Sequence, residues 1–349
     1  MGRKISGPGF FLGKKAEFNF GAGQSDLAPP REILKVKVPK SFLYGEIRGQ
    51  KELVKKVASL HNVDEAGVVI TNGASEAIDL IFSVLLNKND KVLLTKPYYY
   101  SYPFLVKLNK GQTIYTELRE DHIDLGDLEK KISGCKAFLL NSPANPTGSV
   151  EEKEKIREIQ KICKKNNAFL VFDEVYSELT YEKGHYSPKE ENVISVNSFS
   201  KTFALCGLRV GYLYTENKEI AKEVIEHKTH KSMNTSTLSQ LVALNALKVP
   251  RQYIEKNKKI FKERRDIIYD GLKELGLKCA KPEGAFYILP HVKNPQKVVE
   301  DLYKENVILY NGKWFGAPNR IRLSYAIDKE KIKDGLKKIK KYLEVEKCK

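Results

Sequence analysis

Short apolar runs recur through the first two thirds of the chain, and stretches with the apolar spacing of amphipathic helices separate them. The runs on which the fold prediction depends are residues 68–70, 92–94, 137–140, 168–172 and 193–196. Their alternation with helical stretches favours parallel strands joined by crossover helices. The pattern therefore predicts an α/β fold with a large, mostly parallel sheet that has helices on both faces. In such sheets, ligands bind beyond the carboxyl ends of the strands.

The last third of the chain has a different pattern. A long amphipathic segment over residues 253–275 precedes two further apolar runs, at residues 285–289 and 320–324, and a closing helical segment begins at Lys329. This order is typical of a smaller α+β unit that follows a long helix. At 349 residues, the chain is long enough to form two units. We expect a large α/β domain and a smaller α+β domain that includes an N-terminal arm, with bounds at residues 31–249 and at residues 1–30 plus 250–349.

Polar side chains follow three of the predicted strands. Asn145 comes after the run at 137–140, Asp173 directly follows the next run, and Lys201 comes 28 residues after Asp173. Ser198 and Arg209 lie on either side of Lys201 in the sequence. A lysine amine condenses with an aldehyde to give a Schiff base, whereas hydroxyl groups and a guanidinium are good partners for a phosphate. An aldehyde and a phosphate on one ligand describe pyridoxal 5'-phosphate (PLP).

Two earlier segments are compatible with the same ligand. The turn at Gly73, Ala74 and Ser75 precedes a helical pattern, and the start of a helix offers backbone N–H groups to a phosphate. Tyr99 belongs to a tyrosine-rich segment at a strand end, where an aromatic side chain can stack on a flat heteroaromatic ring. Taken alone, such a turn is more often just a helix start, and most of these tyrosines are expected to be ordinary packing residues.

Together, these motifs resemble the fold-type I, class I/II PLP-dependent aminotransferases. The shared order is a Gly-Ala-Ser turn, a Pro-Tyr-Tyr segment, Asn-Pro-Thr-Gly, Asp-Glu-x-Tyr, Ser-x-Ser-Lys and a late Ile-Arg-Leu-Ser. The resemblance covers the chain from about Asn19 to Ala326. It implies the PLP-dependent transferase fold (type I), PLP as the cofactor, and transfer of an amino group between an L-amino acid and a 2-oxo acid.

The resemblance also implies roles for individual residues around the cofactor ring. Lys201 is expected to form the internal aldimine with PLP and then to act as the proton-shuttling base. Asp173 is expected to pair with the protonated pyridine nitrogen, which keeps the ring an electron sink. Tyr176 and Asn145 are expected to hydrogen-bond the phenolic oxygen of the ring, and Tyr99 matches the ring-stacking position.

Further positions match the family's phosphate and substrate sites. The expected phosphate-binding positions are Gly73, Ala74, Ser75, Ser198 and Arg209. Arg322 matches the arginine that binds the substrate α-carboxylate, and Gly23 and Asn145 are expected beside that carboxylate. Tyr44 matches a tyrosine that reaches the PLP phosphate of a neighbouring subunit. We therefore expect a homodimer with shared active sites.

The preferred substrate is left open by the sequence. Gln24 and Ser25 stand where many relatives carry a Glu-Pro pair, and no arginine is identified as the partner of a distal substrate carboxylate. Distal contacts are expected from the N-terminal arm, at Phe10, Phe11, Lys14, Lys15 and Phe18. We expect aspartate-type or aromatic donors, with 2-oxoglutarate as acceptor. A histidinol-phosphate-type aminotransferase, a PLP-dependent β-lyase and a PLP-dependent decarboxylase remain alternatives on the same fold.

Composition bears on partners and location. The net charge of +17 raises the possibility of a nucleic-acid surface, but the basic residues alternate with acidic ones on amphipathic helices, which is typical of solvated faces. We therefore expect no nucleic-acid partner, and a PLP-binding regulator without catalytic activity is a remote alternative. No apolar leader and no long apolar run is present, so we expect neither secretion nor membrane insertion. Widely spaced cysteines, including Cys348, favour the cytoplasm, and no metal-ligand spacing is found.

Overall fold

Residues 5–347 are described by the computed structural model, so Cys348 lies outside the described residues. The strands in chain order are β1 (Phe18–Asn19), β2 (Val68–Thr71), β3 (Lys91–Lys96), β4 (Gln112–Arg119), β5 (His122–Ile123), β6 (Cys135–Asn141), β7 (Phe169–Asp173), β8 (Val193–Ser198), β9 (Gly211–Thr215), β10 (Tyr287–Ile288), β11 (Val307–Ile308), β12 (Tyr310–Asn311) and β13 (Ile321–Ser324). The α-helices are α1 (Lys51–His61), α2 (Ala74–Leu85), α3 (Tyr102–Leu108), α4 (Leu125–Lys131), α5 (Lys153–Lys165), α6 (Phe199–Thr202), α7 (Lys218–Lys231), α8 (Thr237–Ala246), α9 (Arg251–Glu274), α10 (Pro295–Lys304) and α11 (Lys329–Lys347).

The central sheet has eight strands in the order β2-β9-β8-β7-β6-β3-β4-β5. Strands β4, β3, β6, β7 and β8 are parallel to one another, which confirms the predicted mostly parallel α/β sheet. Strand β9 is antiparallel to both of its neighbours, β2 and β8, and β5 is antiparallel to β4. The ends of β6, β7 and β8 therefore lie side by side at one edge of the sheet.

Strand β6 shows why the sequence runs are apolar throughout. Phe138 and Leu140 pack on one face of the sheet in a cluster that includes Ile159 of α5. Leu139 packs on the opposite face in a cluster that includes Ile81 of α2. Side chains alternate between the two faces of a strand, so a strand covered by helices on both sides needs apolar residues at every position.

The smaller unit is built from the C-terminal part of the chain together with the N-terminal arm. Strands β10, β13 and β12 form an antiparallel sheet, and β1 from the arm pairs in parallel with β11. Phe18 and Phe20 are buried in one core cluster with Phe261 of α9 and Ile332 of α11. The domain bounds themselves stay a prediction.

One predicted strand is shorter than its apolar run. Of residues 285–289, only Tyr287–Ile288 pair with β13. Ala285 has a φ of +55°, which is far from extended backbone and ends the strand on that side.

Among residues 5–347, no helix combines the length and the apolar character that a membrane span requires.

Candidate active site

A cavity of about 550 Å³ opens at the ends of β6, β7 and β8, where the small unit faces the large one. Its lining includes the predicted residues Gly23, Ala74, Ser75, Tyr99, Asn145, Asp173, Tyr176, Ser198, Lys201, Arg209 and Arg322. Gly73 lies directly behind this lining, against the guanidinium of Arg209. Tyr44 lies outside the cavity and is 81% exposed. The structure thus brings together residues that are almost 300 positions apart in the sequence.

Lys201 enters the cavity from the short helix α6 that follows β8. Ser198 is the N-cap of α6, and its side chain accepts a hydrogen bond from the backbone N–H of Ser200 at 3.1 Å. This cap fixes the first turn, on which Lys201 lies. The Nζ atom of Lys201 donates a hydrogen bond to the backbone oxygen of Gly23, and it lies 5.6 Å from the ring centre of Tyr176. The amine is therefore held between the large domain and the N-terminal arm.

Asp173 is the last residue of β7 and is buried. Its Oδ2 atom accepts a hydrogen bond from the hydroxyl of Tyr102 at 2.6 Å, and its Oδ1 atom accepts one from the backbone N–H of Val175 at 3.2 Å. Burial raises the pKa of Asp173 to about 6, although both hydrogen bonds act in the opposite direction. A buried carboxylate is stabilised in its charged form by a cationic partner, such as a protonated pyridine nitrogen.

The start of α2 and the side chain of Arg209 form a cradle for an anion. Gly73 precedes the helix with a φ of +84°, and a Cβ atom there would lie 2.4 Å from Nη2 of Arg209. The guanidinium donates to the backbone oxygen of Cys206 at 3.0 Å. The Oγ atom of Ser198 lies 2.9 Å from that of Ser200, on the same side of the cavity. Helix-terminal N–H groups, hydroxyls and a guanidinium are a donor set that fits a phosphate.

Arg322 is a buried cation on β13 that forms no ion pair within residues 5–347. Its Nη2 atom donates to the backbone oxygen of Gly21 at 2.6 Å and its Nη1 atom to Oδ1 of Asn145 at 3.2 Å, but Nε has no hydrogen-bond partner. The rings of Tyr287, Tyr310 and Phe315 surround the guanidinium at 4.5, 4.7 and 4.7 Å. An enclosed charge without a counter-ion is costly, and a ligand carboxylate would remove that cost.

Tyr176, Tyr99 and Asn145 complete the wall between Asp173 and Arg322. The hydroxyls of Tyr176 and Tyr287 lie 2.8 Å apart, and burial, reinforced by Tyr287, raises the pKa of Tyr176 well above its ordinary value. Tyr176 therefore keeps its proton and remains a hydrogen-bond donor. The ring of Tyr99 lines the cavity and makes an edge contact with Tyr102, with ring centres 5.3 Å apart.

Sequence reasoning missed two of the supporting side chains. Tyr102 bonds Asp173 from 71 positions away, and the sequence pattern did not distinguish it from the other tyrosines of its segment. Asn141 is the last residue of β6, and its Oδ1 atom accepts a hydrogen bond from the backbone N–H of Asn145 at 2.8 Å. Its place at a strand end, four residues before Asn145, was a signal that could have identified it.

The prediction for the N-terminal arm was wrong in its residues. None of Phe10, Phe11, Lys14, Lys15 and Phe18 is among the described lining of the cavity, which takes Leu12 from this part of the arm. Phe11 and Phe18 are instead buried in the core of the small unit, where apolar rings gain more by burial than at a wet cavity wall. Leu12 is 77% exposed and extends toward the cavity mouth.

The fold and this set of side chains define the protein class. The chain belongs to the class I and II aminotransferases, because the model of that family matches residues 15–339. A probable aspartate aminotransferase from Methanocaldococcus jannaschii is 35% identical over 93% of each chain. An aspartate aminotransferase from Thermus thermophilus with maleate has a TM-score of 0.88 at 27% identity, over 95% of this chain and 92% of that one. An aromatic aminotransferase from Pyrococcus horikoshii OT3 has a TM-score of 0.89 at 27% identity, covering 97% and 98%.

These similarities cover nearly the whole chain, and they agree with the family that the site residues indicated. The protein is a PLP-dependent aminotransferase with the fold of the aspartate aminotransferases. This result confirms the predicted family, enzyme class and cofactor.

Proposed function

We propose that this cavity transfers the amino group of an L-amino acid to a 2-oxo acid, with Lys201, Asp173 and Arg322 as the central residues. The observation that carries the proposal is their convergence on one cavity from three separate elements, β7, α6 and β13, each with a chemical demand that PLP or its substrate meets. Lys201 offers an amine, Asp173 needs a cation beside it, and Arg322 needs an anion.

The residues present fit PLP, which when bound supplies a reactive aldehyde and an electron-withdrawing ring. Lys201 would be the point of covalent attachment, and Asp173 would hold a proton on the ring nitrogen. Tyr176 and Asn145, which both line the cavity, would donate hydrogen bonds to the phenolic oxygen, and Tyr99 would stack on the ring. The phosphate is assigned to the start of α2 (Gly73, Ala74 and Ser75) together with Ser198 and Arg209.

Arg322 orients the substrate by a paired contact to its α-carboxylate, for which the unpartnered Nε atom and the neighbouring Nη atom are suited. This contact, with Gly23 and Asn145 beside it, would bring the Cα–H bond of the substrate within reach of the Nζ atom of Lys201. The free amine of Lys201 would take the proton from Cα as a general base and would deliver it to the C4' atom of the cofactor. Enclosure by the small unit would exclude water from this exchange.

An aromatic L-amino acid is the donor that the cavity wall fits best. The cations among the described lining residues are Lys201, Arg209 and Arg322, and each already has a role. The remaining wall toward the N-terminal arm contains Leu12, Tyr100 and Tyr310, two of which are aromatic. Rings pack well against other rings, whereas a distal carboxylate needs a cation. The named activity of the Pyrococcus horikoshii relative agrees with this choice.

A donor panel tests the substrate proposal. Purified enzyme with PLP should form 2-oxo acids from phenylalanine, tyrosine and aspartate with 2-oxoglutarate as acceptor, and kcat/KM should be highest for the aromatic donors. Histidinol phosphate and cysteine in the same panel test the rival reactions, since a β-lyase forms pyruvate from cysteine without an acceptor. A preference for aspartate, or release of carbon dioxide in place of transamination, would contradict the proposal.

We also propose that two copies of the chain form a homodimer in the cytoplasm. An extended segment over residues 35–46 exposes Val38, Phe42, Leu43 and Tyr44 by 59%, 64%, 80% and 81%. A run of apolar side chains this exposed is typical of a protein–protein interface. In a twofold dimer the same segment of each subunit covers its partner, so both copies of Tyr44 reach the opposite site.

The proposed location in the cytoplasm agrees with the cysteines. Those at positions 135, 163, 206 and 279 are free thiols, as expected in a reducing compartment.

A further inference from the structure

Glu76 folds back over the start of its own helix. It is the third residue of α2, and its Oε2 atom accepts a hydrogen bond from the backbone N–H of Asn72 at 2.6 Å. Its Oε1 atom accepts a second one from the side-chain amide of Asn72 at 3.0 Å. The contact is similar to one half of a capping box, but it reaches the residue before the N-cap Gly73. Both carboxylate oxygens of Glu76 are therefore used to hold Asn72.

Lys228 fixes Glu76 from the neighbouring helix α7. The side chain of Lys228 has no exposed surface, and its Nζ atom lies 2.9 Å from Oε2 of Glu76 and 3.0 Å from Oγ of Ser232. Burial acts to raise the pKa of Glu76, but hydrogen bonds from Ser232, Asn72 and Lys228 outweigh it and lower that pKa. Glu76 is therefore ionised, and a charge pair between a fully buried lysine and a partly buried glutamate holds the turn that precedes α2.

This turn connects directly to the anion cradle. Nη2 of Arg209 lies 3.5 Å from the backbone oxygen of Asn72, and Gly73 follows with its Cα against the same guanidinium. Because Glu76 satisfies the backbone N–H of Asn72, the N–H groups of the first residues of α2 stay available to a ligand. A shift of Asn72 would move the helix start and Arg209 together.

We propose that Glu76, held by Lys228, is a positioning residue for the cofactor phosphate. Enclosing the charge of Lys228 costs desolvation that apolar residues between two helices would avoid, so the presence of this pair favours a role beyond stability. The pair fixes Asn72, and Asn72 aligns the two halves of the cradle, the N-terminus of α2 and Arg209. The inference rests on the proposed phosphate site and assigns the residues that keep that site in shape.

The same two helices provide a matched control. Lys231 of α7 pairs with Asp79 of α2 at 2.6 Å, three residues further along both helices, and this pair does not contact Asn72. Asp79→Asn and Glu76→Gln each remove one negative charge from the contact between α2 and α7. Only Glu76→Gln takes one of the two acceptors away from Asn72, since a glutamine side chain has a single carbonyl oxygen.

The test compares binding of PLP with binding of pyridoxal, which lacks the phosphate, to the full-length apoprotein. Glu76→Gln should weaken PLP binding by about tenfold or more, the loss expected when charge-assisted hydrogen bonds are misaligned. Its affinity for pyridoxal should stay within about twofold of the wild-type value, and Asp79→Asn should change neither affinity by more than that. Inorganic phosphate should likewise compete with PLP less effectively in Glu76→Gln than in the wild type.

The double variant Glu76→Gln/Lys228→Met removes both charges of the pair and serves if the single variant does not fold. It should likewise reduce the ratio of PLP affinity to pyridoxal affinity by about tenfold or more. The inference is overturned if the wild type prefers PLP and either variant keeps the wild-type ratio of the two affinities, whether both affinities are unchanged or both fall equally. A wild-type protein that binds pyridoxal as tightly as PLP would instead contradict the proposed phosphate site, and the inference with it.

Discussion

Asp173 is a carboxylate that the fold encloses, and burial raises its pKa from 3.8 to about 6. The folded apoprotein therefore binds more protons at this position than the unfolded chain between about pH 4 and pH 6. The contribution of Asp173 to the free energy of unfolding is therefore fully present below pH 4 and is lost as the pH rises to about 6. Above that pH, the ionised carboxylate at the end of β7 destabilises the apoprotein. Groups that reduce stability in this way are typical of functional sites.

Replacing Asp173 by Asn should therefore have opposite effects on stability and activity. At pH 8 the free energy of unfolding of the apoprotein should rise by about 1–3 kcal/mol, because the buried charge is gone. At pH 4 this gain should disappear, and turnover with PLP at pH 8 should fall by several kcal/mol of transition-state stabilisation, or roughly a hundredfold or more. Denaturant unfolding at both pH values and steady-state kinetics measure these effects. Near-wild-type turnover would show that Asp173 does not hold the ring proton.

Several site residues could be predicted from their position after an apolar run. Asn145, Asp173 and Lys201 follow apolar runs, and the rule that parallel strands end at one edge brings them together. The contact of Tyr102 with Asp173 could not be predicted, because it depends on how α3 packs beside β7 across 71 residues. The arm residue at the cavity, Leu12, was missed for a related reason. The arm is short and irregular, and the residues against which it packs decide which of its side chains face the core.

Among the elements, the junction between β2 and α2 has the strictest conformational demand. Gly73 has φ +84° and ψ 168°, a combination that residues with a side chain rarely adopt. Its missing side chain also leaves room for Arg209, whose Nη2 atom would be 2.4 Å from a Cβ atom. The junction can keep its shape only with glycine at this position.

Gly73→Ala should weaken PLP binding by about tenfold or more, because backbone strain of about 1–3 kcal/mol and a displaced Arg209 both act on the phosphate cradle. The matched control is Gly134→Ala, which also places alanine at a positive φ, +70°, but has no atom within 4 Å of the new Cβ. That variant should lose stability and keep its PLP affinity. Titration of both apoproteins with PLP separates the two effects, and equal losses of affinity would contradict the role of the cradle.

The positions of the strands could be predicted better than whether each strand is parallel or antiparallel to its neighbours. The apolar runs correctly indicated β3, β6, β7 and β8, and their crossover helices made them parallel. Strand β9 is antiparallel between β2 and β8, and its five residues are all buried. A strand that is buried on both faces has no polar alternation from which its direction could be inferred. The length of β10 could not be predicted either, because the positive φ of Ala285 ends the strand and the apolar pattern does not indicate backbone angles.

In the whole molecule, each active site is proposed to be completed by a second chain. In the proposed dimer, Lys201 and Arg322 of a site come from one subunit and Tyr44 from the other. Tyr44 lies outside the cavity of its own chain and is 81% exposed, which agrees with this division.

Mixed dimers test this division. A Lys201→Ala subunit paired with a Tyr44→Ala subunit should form one intact site of the two and recover about half of the wild-type activity. Lys201→Ala paired with Arg322→Ala should recover none, because every site then lacks one of two residues from the same chain. Activity of tagged heterodimers, separated from both homodimers, is the measurement. A fully active monomer at assay concentration would rule out shared sites.

Lys201 is proposed to bind PLP covalently until the amino group of a donor displaces it. Borohydride reduction of the purified enzyme with PLP, followed by peptide mass spectrometry, tests this role. We expect a single phosphopyridoxyl adduct on Lys201, and we expect that adding a donor amino acid before the reductant prevents its formation. A Lys201→Ala variant that still carries a reducible adduct on a lysine at this site, or wild-type protein modified elsewhere, would show that Lys201 does not have this role.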